Sequence, residues 1–235
     1  MPTKLLLTPD PRTVIVVLQD GLYQIRNGVC AADPLIPMPS GFDGRFNDAT
    51  TDAVGRLVTG TLSLEQTGGG AFWVWGRESG WSQLSLNKSN TNGPCFSEDG
   101  RVLYIADTPT GNIYRYDYNS SDGSASNESI FVNTFGDGGA PDGAAIDADG
   151  CLWSALYGGG VVVQYAADGS VRQRIELPAK NPTDVQFFGP TLDRMIVTSA
   201  IEQNDDVTIA NPNAGVTFEI FGAGARGIRQ SALAT

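Results

Sequence analysis

The sequence predicts an all-β fold, a β-propeller of five recognisable four-stranded blades, and three observations carry that reading. The runs RTVIVVLQ, RLVTGTL, RVLYIAD, CLWSALYG and RMIVTSA are rich in β-branched and aromatic residues and are bounded by turn formers. No stretch of a dozen residues sustains a helical period. The five runs also recur at a near-fixed interval. They begin at Arg12, Arg56, Arg101, Cys151 and Arg194, separated by 44, 45, 50 and 43 residues. A repeat of about 45 residues holding three or four strands is the signature of a propeller.

Each repeat is built alike. An opening strand runs into an acidic turn, as in LLLTPDP, ATTDAVG, CFSEDG and AAIDADG. The runs named above follow as second strands. Third strands come next: GLYQIRN, AFWVWG, NIYRYDYN, VVVQYAADG and, in the last repeat, VTFEIF. The long interval contains SSDGSASNESI, whose serine content predicts a surface loop. Each blade exposes an apolar face that only a neighbouring blade can cover. Five repeats occupy nearly the whole chain, so residues 1–235 are expected to form a single propeller domain.

Composition removes several function classes. With 15 Lys and Arg against 26 Asp and Glu, the net charge of −11 opposes binding to nucleic acid or to an anionic membrane. The chain has no histidine, which excludes a Ser-His-Asp triad, a Cys-His pair and an imidazole zinc site. Any metal must be held by oxygen, and any general base must be a carboxylate, lysine or tyrosine. Cys30, Cys95 and Cys151 show no CxxC spacing and are expected to be buried, inert thiols. The N-terminus has a run of only three leucines, broken at Pro9 and Pro11, which suits neither a signal peptide nor an anchor. A cytoplasmic location is expected.

The innermost strands of a propeller line its channel, and four repeats carry polar residues where those strands begin. These are Arg45-Phe46-Asn47-Asp48, Thr91-Asn92-Gly93-Pro94, Pro141-Asp142-Gly143 and Pro182-Thr183-Asp184. Asp48, Asp52, Asp99 and Asp149 are expected to cap turns. Asp142 offers a carboxylate and Asn92 a neutral carbonyl, hard donors suited to Ca²⁺, Mg²⁺ or Mn²⁺. The Arg45 guanidinium suits substrate hydroxyls or a carboxylate.

The stretches GRFNDATTDAVGRLVTGTL, TNGPCFSEDGRVLYIADTPTGNIYRYDYN and PDGAAIDADGCLWSALYGGGVVVQY, taken in order, resemble the SMP-30/gluconolactonase (regucalcin-like) family. That resemblance implies a propeller of six blades, one divalent cation in the channel, and hydrolysis of sugar-acid lactones. It implies Asn92 and Asp142 as metal ligands, and Arg45, Asn47 and Glu65 as contacts to a small-molecule lactone. Asp142 would also serve as the general base, and Ca²⁺ is the expected ion, with Mg²⁺, Mn²⁺ or Zn²⁺ as alternatives.

The chain departs from the family by aligning from its second blade onward. The glutamate of the family's first-blade Glu-Gly-Pro motif has no counterpart, so metal binding is expected to be weak unless Asp184 or Asp20 substitutes. A closed five-bladed ring is favoured over an open arc; an arc would leave an edge that invites oligomers. The expected function is a metal-assisted hydrolase of sugar-acid lactones or similar cyclic esters. The alternative is a non-catalytic propeller that binds a small molecule or a protein.

Overall fold

The computed structural model describes residues 2–40, 42, 44–63, 69–201 and 212–234, with only the backbone described at 85–87. Blade 1 contains β1 (Lys4–Leu7), β2 (Thr13–Val17), β3 (Gly21–Arg26), β4 (Val29–Cys30) and β5 (Ile36–Pro37). Blade 2 contains β6 (Arg45–Thr51), β7 (Leu57–Leu62), β8 (Gly70–Gly76) and β9 (Gly80–Lys88). Blade 3 contains β10 (Thr91–Phe96), β11 (Val102–Asp107), β12 (Asn112–Asn119) and β13 (Ser124–Asn133). Blade 4 contains β14 (Ala140–Ile146), β15 (Leu152–Tyr157), β16 (Val161–Tyr165) and β17 (Val171–Glu176). Blade 5 contains β18 (Pro182–Phe188), β19 (Arg194–Ser199) and β20 (Phe218–Ile220). Each blade is an antiparallel meander, and the two short strands β4 and β5 both pair with β3. The first strands are neighbours around the axis in the order β1, β6, β10, β14, β18.

The five periodic runs of the sequence are thus the second strands of the five blades. The Ser-rich insertion is not a loop. After a short turn it becomes β13, which pairs along β12 from Asn112 to Asn119 as the outer strand of blade 3. Its side chains are mostly exposed, so no apolar alternation marks it, and serine there faces water on an edge strand. Cys95 and Cys151 are buried as expected, but Cys30 is exposed on β4. Among the described residues, no helix is long and apolar enough to cross a membrane.

Apolar side chains fasten each blade to the next. Leu6, Ile15 and Leu22 of blade 1 pack with Phe46 and Leu57 of blade 2. Val58 and Phe72 pack with Leu103 and Tyr116. Tyr104 and Ile113 pack with Leu152, Val163 and Tyr165. Trp153 and Val162 pack with Val185, Met195 and Val197. These four cores join blades 1–2, 2–3, 3–4 and 4–5.

Among the described residues, no such core joins blade 5 to blade 1. Leu5 and Leu7, which point to that junction, are 64% and 58% exposed. A cavity of about 520 Å³ lies there, bordered by Leu5, Leu7, Phe187 and Ile228. The junction is bridged instead by an ion pair at the axis and by the C-terminal segment. In that segment Gly227 N–H bonds the Leu192 carbonyl of blade 5, and Leu233 N–H bonds the Leu7 carbonyl of blade 1. The Leu233 side chain is fully buried in the core of blades 1 and 2.

This asymmetry makes β1 a two-sided test. Leu6→Ala should cost about 2–5 kcal/mol in denaturant unfolding, as for other truncations of buried leucine. Leu7→Ser should change stability by less than about 0.5 kcal/mol, as at other exposed positions. Equal costs would mean that the outer face of β1 is covered.

Candidate functional site

The polar motifs of the four later inner strands meet at the axis because each strand carries a bulge at its motif. The register of β6 against β7 shifts between Phe46 and Ala49, and that of β10 against β11 between Asn92 and Cys95. The same occurs in β14 between Pro141 and Ala144, and in β18 between Pro182 and Asp184. A bulge places two residues opposite one and re-aims their side chains, here toward the channel. Close approach of the inner strands then demands glycine. At Gly93, whose φ is +54°, a Cβ would lie 2.6 Å from the Asp142 carbonyl oxygen. At Gly143 it would lie 2.2 Å from Asp184 Oδ1.

A chain of hydrogen bonds links three blades. Asn47 Nδ2 donates to the Thr91 carbonyl at 2.9 Å and to Asn92 Oδ1 at 2.6 Å. Asn92 Nδ2 donates to Thr108 Oγ1 at 2.7 Å, and that hydroxyl donates to the Pro141 carbonyl at 2.7 Å. Asp48 adds a second tie, accepting from Gly93 N–H at 2.9 Å. Asn47 and Asn92 are therefore joined directly, each amide fixed by the other.

At the centre stands Lys4. Its ammonium lies 2.6 Å from Asp184 Oδ2 and 3.2 Å from Asp48 Oδ1, and its side chain is only 13% exposed. Burial disfavours the ammonium, but the carboxylates of Asp184 and Asp48 outweigh that and raise its pKa above the ordinary lysine value. Burial raises the Asp184 carboxyl, with Lys4 opposing. The Asp142 carboxyl is held well above its ordinary value, first by burial and then by the charges of Asp48 and Asp184; Lys4 and the Gly143 N–H pull the other way. One ammonium thus faces two carboxylates, with the Asp142 side chain lining the same cavity.

These groups open into a cavity of about 660 Å³, bordered by Arg45, Asn47, Asn92, Asp142, Thr183 and Thr198 among others. Arg45 is half-buried; it donates to the Phe46 carbonyl at 3.0 Å and has no ion pair among the described residues. Four of the five site residues expected from sequence therefore share one cavity. Glu65 lies outside the described residues. Asp52 and Asp99 cap turns as expected, accepting from the backbone N–H groups of Val54 and Arg101 respectively. Asp48 does not: it is buried at the axis and ties Lys4 to Gly93, a role that a turn-cap reading missed. Asp184 belongs to the same group, whereas Asp20 is exposed and accepts from the Tyr23 hydroxyl.

The donors expected for a divalent cation fit that ion poorly as they stand. Asn92 Oδ1 already accepts the Asn47 amide, and a lysine ammonium occupies the place between the carboxylates of Asp48 and Asp184. Among the described residues, no group of three or more Asp, Glu or Cys side chains is arranged to hold a metal ion.

The fold is a propeller whose polar residues converge from several blades on one cavity. The chain belongs to the SMP-30/Gluconolactonase/LRE-like family, whose model matches residues 2–201. It is 33% identical over 207 residues to 6-deoxy-6-sulfogluconolactonase of Pseudomonas putida, covering 87% of this chain and 71% of that protein. It is 35% identical over 156 residues to the pentonolactonase XacC of Haloferax volcanii, covering 66% of this chain and 53% of that protein. The matches therefore span between about half and seven-tenths of those relatives. Among solved structures, a calcium-binding protein, regucalcin from Agrobacterium tumefaciens, superposes with a TM-score of 0.88 at 30% identity. That superposition covers 99% of this chain and 79% of that one.

The raised Asp142 pKa has a consequence for stability. The folded protein holds this proton more tightly than the unfolded chain does. The stabilisation it gives is complete below the unfolded value and is lost as pH rises through the folded value. Asp142→Asn stays neutral throughout, so its melting temperature should match the wild type near pH 4 and exceed it at pH 8. Each kcal/mol would appear as roughly 2–4 °C in a domain of this size. A melting difference that does not change with pH would show that Asp142 is not held in this way.

Proposed function

We propose that the protein hydrolyses lactones of sugar acids or similar small cyclic esters in the axial cavity. The observation that carries the reading is the convergence of Arg45, Asn47, Asn92 and Asp142 on one cavity, in a member of a family whose similar relatives are named lactonases. In this reading Arg45 and the carbonyl oxygen of Asn47 hold the hydroxyl groups of the substrate. Glu65, by its place in the sequence, is assigned to the same task.

Asp142 acts as the general base. Its raised proton affinity makes its carboxylate a stronger base than an ordinary aspartate. It takes a proton from water as the water oxygen bonds to the lactone carbonyl carbon, giving a tetrahedral intermediate. The ring C–O bond then breaks, and the departing oxygen receives the proton from Asp142. Atoms balance as lactone plus water giving the open hydroxy acid.

Calcium is the ion to consider first, since a structural relative is described as calcium-binding. Asn92 and Asp142 are the ligands proposed from sequence. To bind there it would compete with the Asn47 amide for Asn92 and with the Lys4 ammonium for the carboxylates, so binding is weak. A soluble cytoplasmic enzyme acting on a small molecule is the setting this reading supposes.

Initial rates on a panel of five- and six-membered sugar lactones, with and without added Ca²⁺, Mg²⁺, Mn²⁺ or Zn²⁺, test the proposal. Asp142→Asn should lower kcat by about 10²–10⁴-fold, the usual contribution of a general base. Arg45→Met should act chiefly on KM. Lactone binding without turnover in the wild type would replace the enzyme by a binding propeller, and equal rates in wild type and Asp142→Asn would remove Asp142 from catalysis.

A further inference from the structure

We infer that Lys4 is a built-in cation that occupies the axial site in place of a divalent metal, so that this one side chain sets the metal affinity of the protein. The inference goes beyond lactone hydrolysis and does not depend on it. Its basis is position. The Lys4 ammonium reaches the axis from the first strand and touches Asp184 on blade 5 and Asp48 on blade 2, at 2.6 and 3.2 Å. Both carboxylates are anchored from behind. Asp184 Oδ1 accepts from Val185 N–H at 2.9 Å, and Asp48 accepts from the Ala49 and Gly93 N–H groups at 2.7 and 2.9 Å. They point at the ammonium because the backbone aims them there.

Asp142 lines the same cavity as Lys4, Asp48 and Asp184. Two carboxylates facing one point attract a hard cation, and like charges so placed need a counter-charge. The chain supplies that charge covalently. A tethered ammonium has no association entropy to lose, whereas a free ion must be captured from solution. It also repels an approaching divalent cation from the same point.

The corollary is that removing the ammonium should create a cation site. In Lys4→Met the side chain keeps comparable length and loses its charge, leaving Asp48 and Asp184 facing the space that the ammonium held. Calcium titration followed by calorimetry, with melting curves alongside, is the test. In wild type, millimolar Ca²⁺ should give little heat and little change in melting temperature. Lys4→Met should bind Ca²⁺ at least about tenfold more tightly, reflecting loss of one nearby positive charge. Its melting temperature should climb with Ca²⁺ through linkage. The double variant Lys4→Met/Asp184→Asn, which restores the charge balance without a cation, should fold without calcium and lose the added affinity.

Wild type and Lys4→Met binding Ca²⁺ equally well would overturn the inference, as would a folded Lys4→Met with no gain in affinity. If Lys4→Met fails to fold even in millimolar Ca²⁺ while the double variant folds, the carboxylates need an ammonium specifically, and the inference fails. All of these readouts are independent of turnover, so loss of the lactonase reading would leave them unchanged.

Discussion

The contact of Lys4 with Asp48 and Asp184 is the interaction on which the axis of the molecule depends. A propeller is held together by covering each blade face with the next, and among the described residues four apolar cores do so for four of the five junctions. At the fifth, Leu5 and Leu7 remain largely in water. Among the described residues, blade 1 is bridged to blade 5 by the Lys4 ammonium and by the C-terminal segment. Removing one partner of a buried ion pair typically costs about 3–5 kcal/mol, as much as truncating a core leucine. The same contact offsets part of the negative charge at the axis. Structure and electrostatics of the site therefore rest on one side chain.

Around that point the inner strands are arranged so that each blade supplies a polar residue and a tie to its neighbour. The bulges turn Asn47, Asp48, Asn92, Asp142 and Asp184 toward the axis, and Gly93 and Gly143 let the strands close up behind them. The amide–hydroxyl chain from Asn47 through Asn92 and Thr108 to the Pro141 carbonyl leaves these groups few alternative rotamers. A site held this way is preorganised, which is what stabilising a developing charge requires. It also explains why this site is a poor candidate for tight metal binding although its donor types are suitable: Asn92 is committed to Asn47 and Thr108, and the carboxylates of Asp48 and Asp184 to Lys4.

The blades were legible in the sequence because strand alternation, acidic turns and a period of about 45 residues are local signals that survive without tertiary information. The cavity residues Arg45, Asn47, Asn92 and Asp142 were legible for a related reason, since each sits in a short motif at the same place in its repeat. What escaped was long-range. Lys4 stands alone in the leucine strand KLLL, and nothing in that strand shows that its ammonium meets a carboxylate 180 positions away. Asp48 looked like a turn residue because Asp suits turns, and only the bulge in β6 turns it to the channel. The serine-rich stretch looked like a loop because an outer edge strand has no buried face to impose alternation on its sequence.

The central claim, that a lysine ammonium holds the axial position, is tested most directly by diffraction from crystals grown in millimolar Mn²⁺ and recorded for anomalous signal. The account predicts density for Lys4 Nζ between Asp48 and Asp184, with no anomalous peak at the axis. An anomalous peak among Asn92, Asp142 and Asp184, with the Lys4 side chain displaced from Asp48, would contradict it.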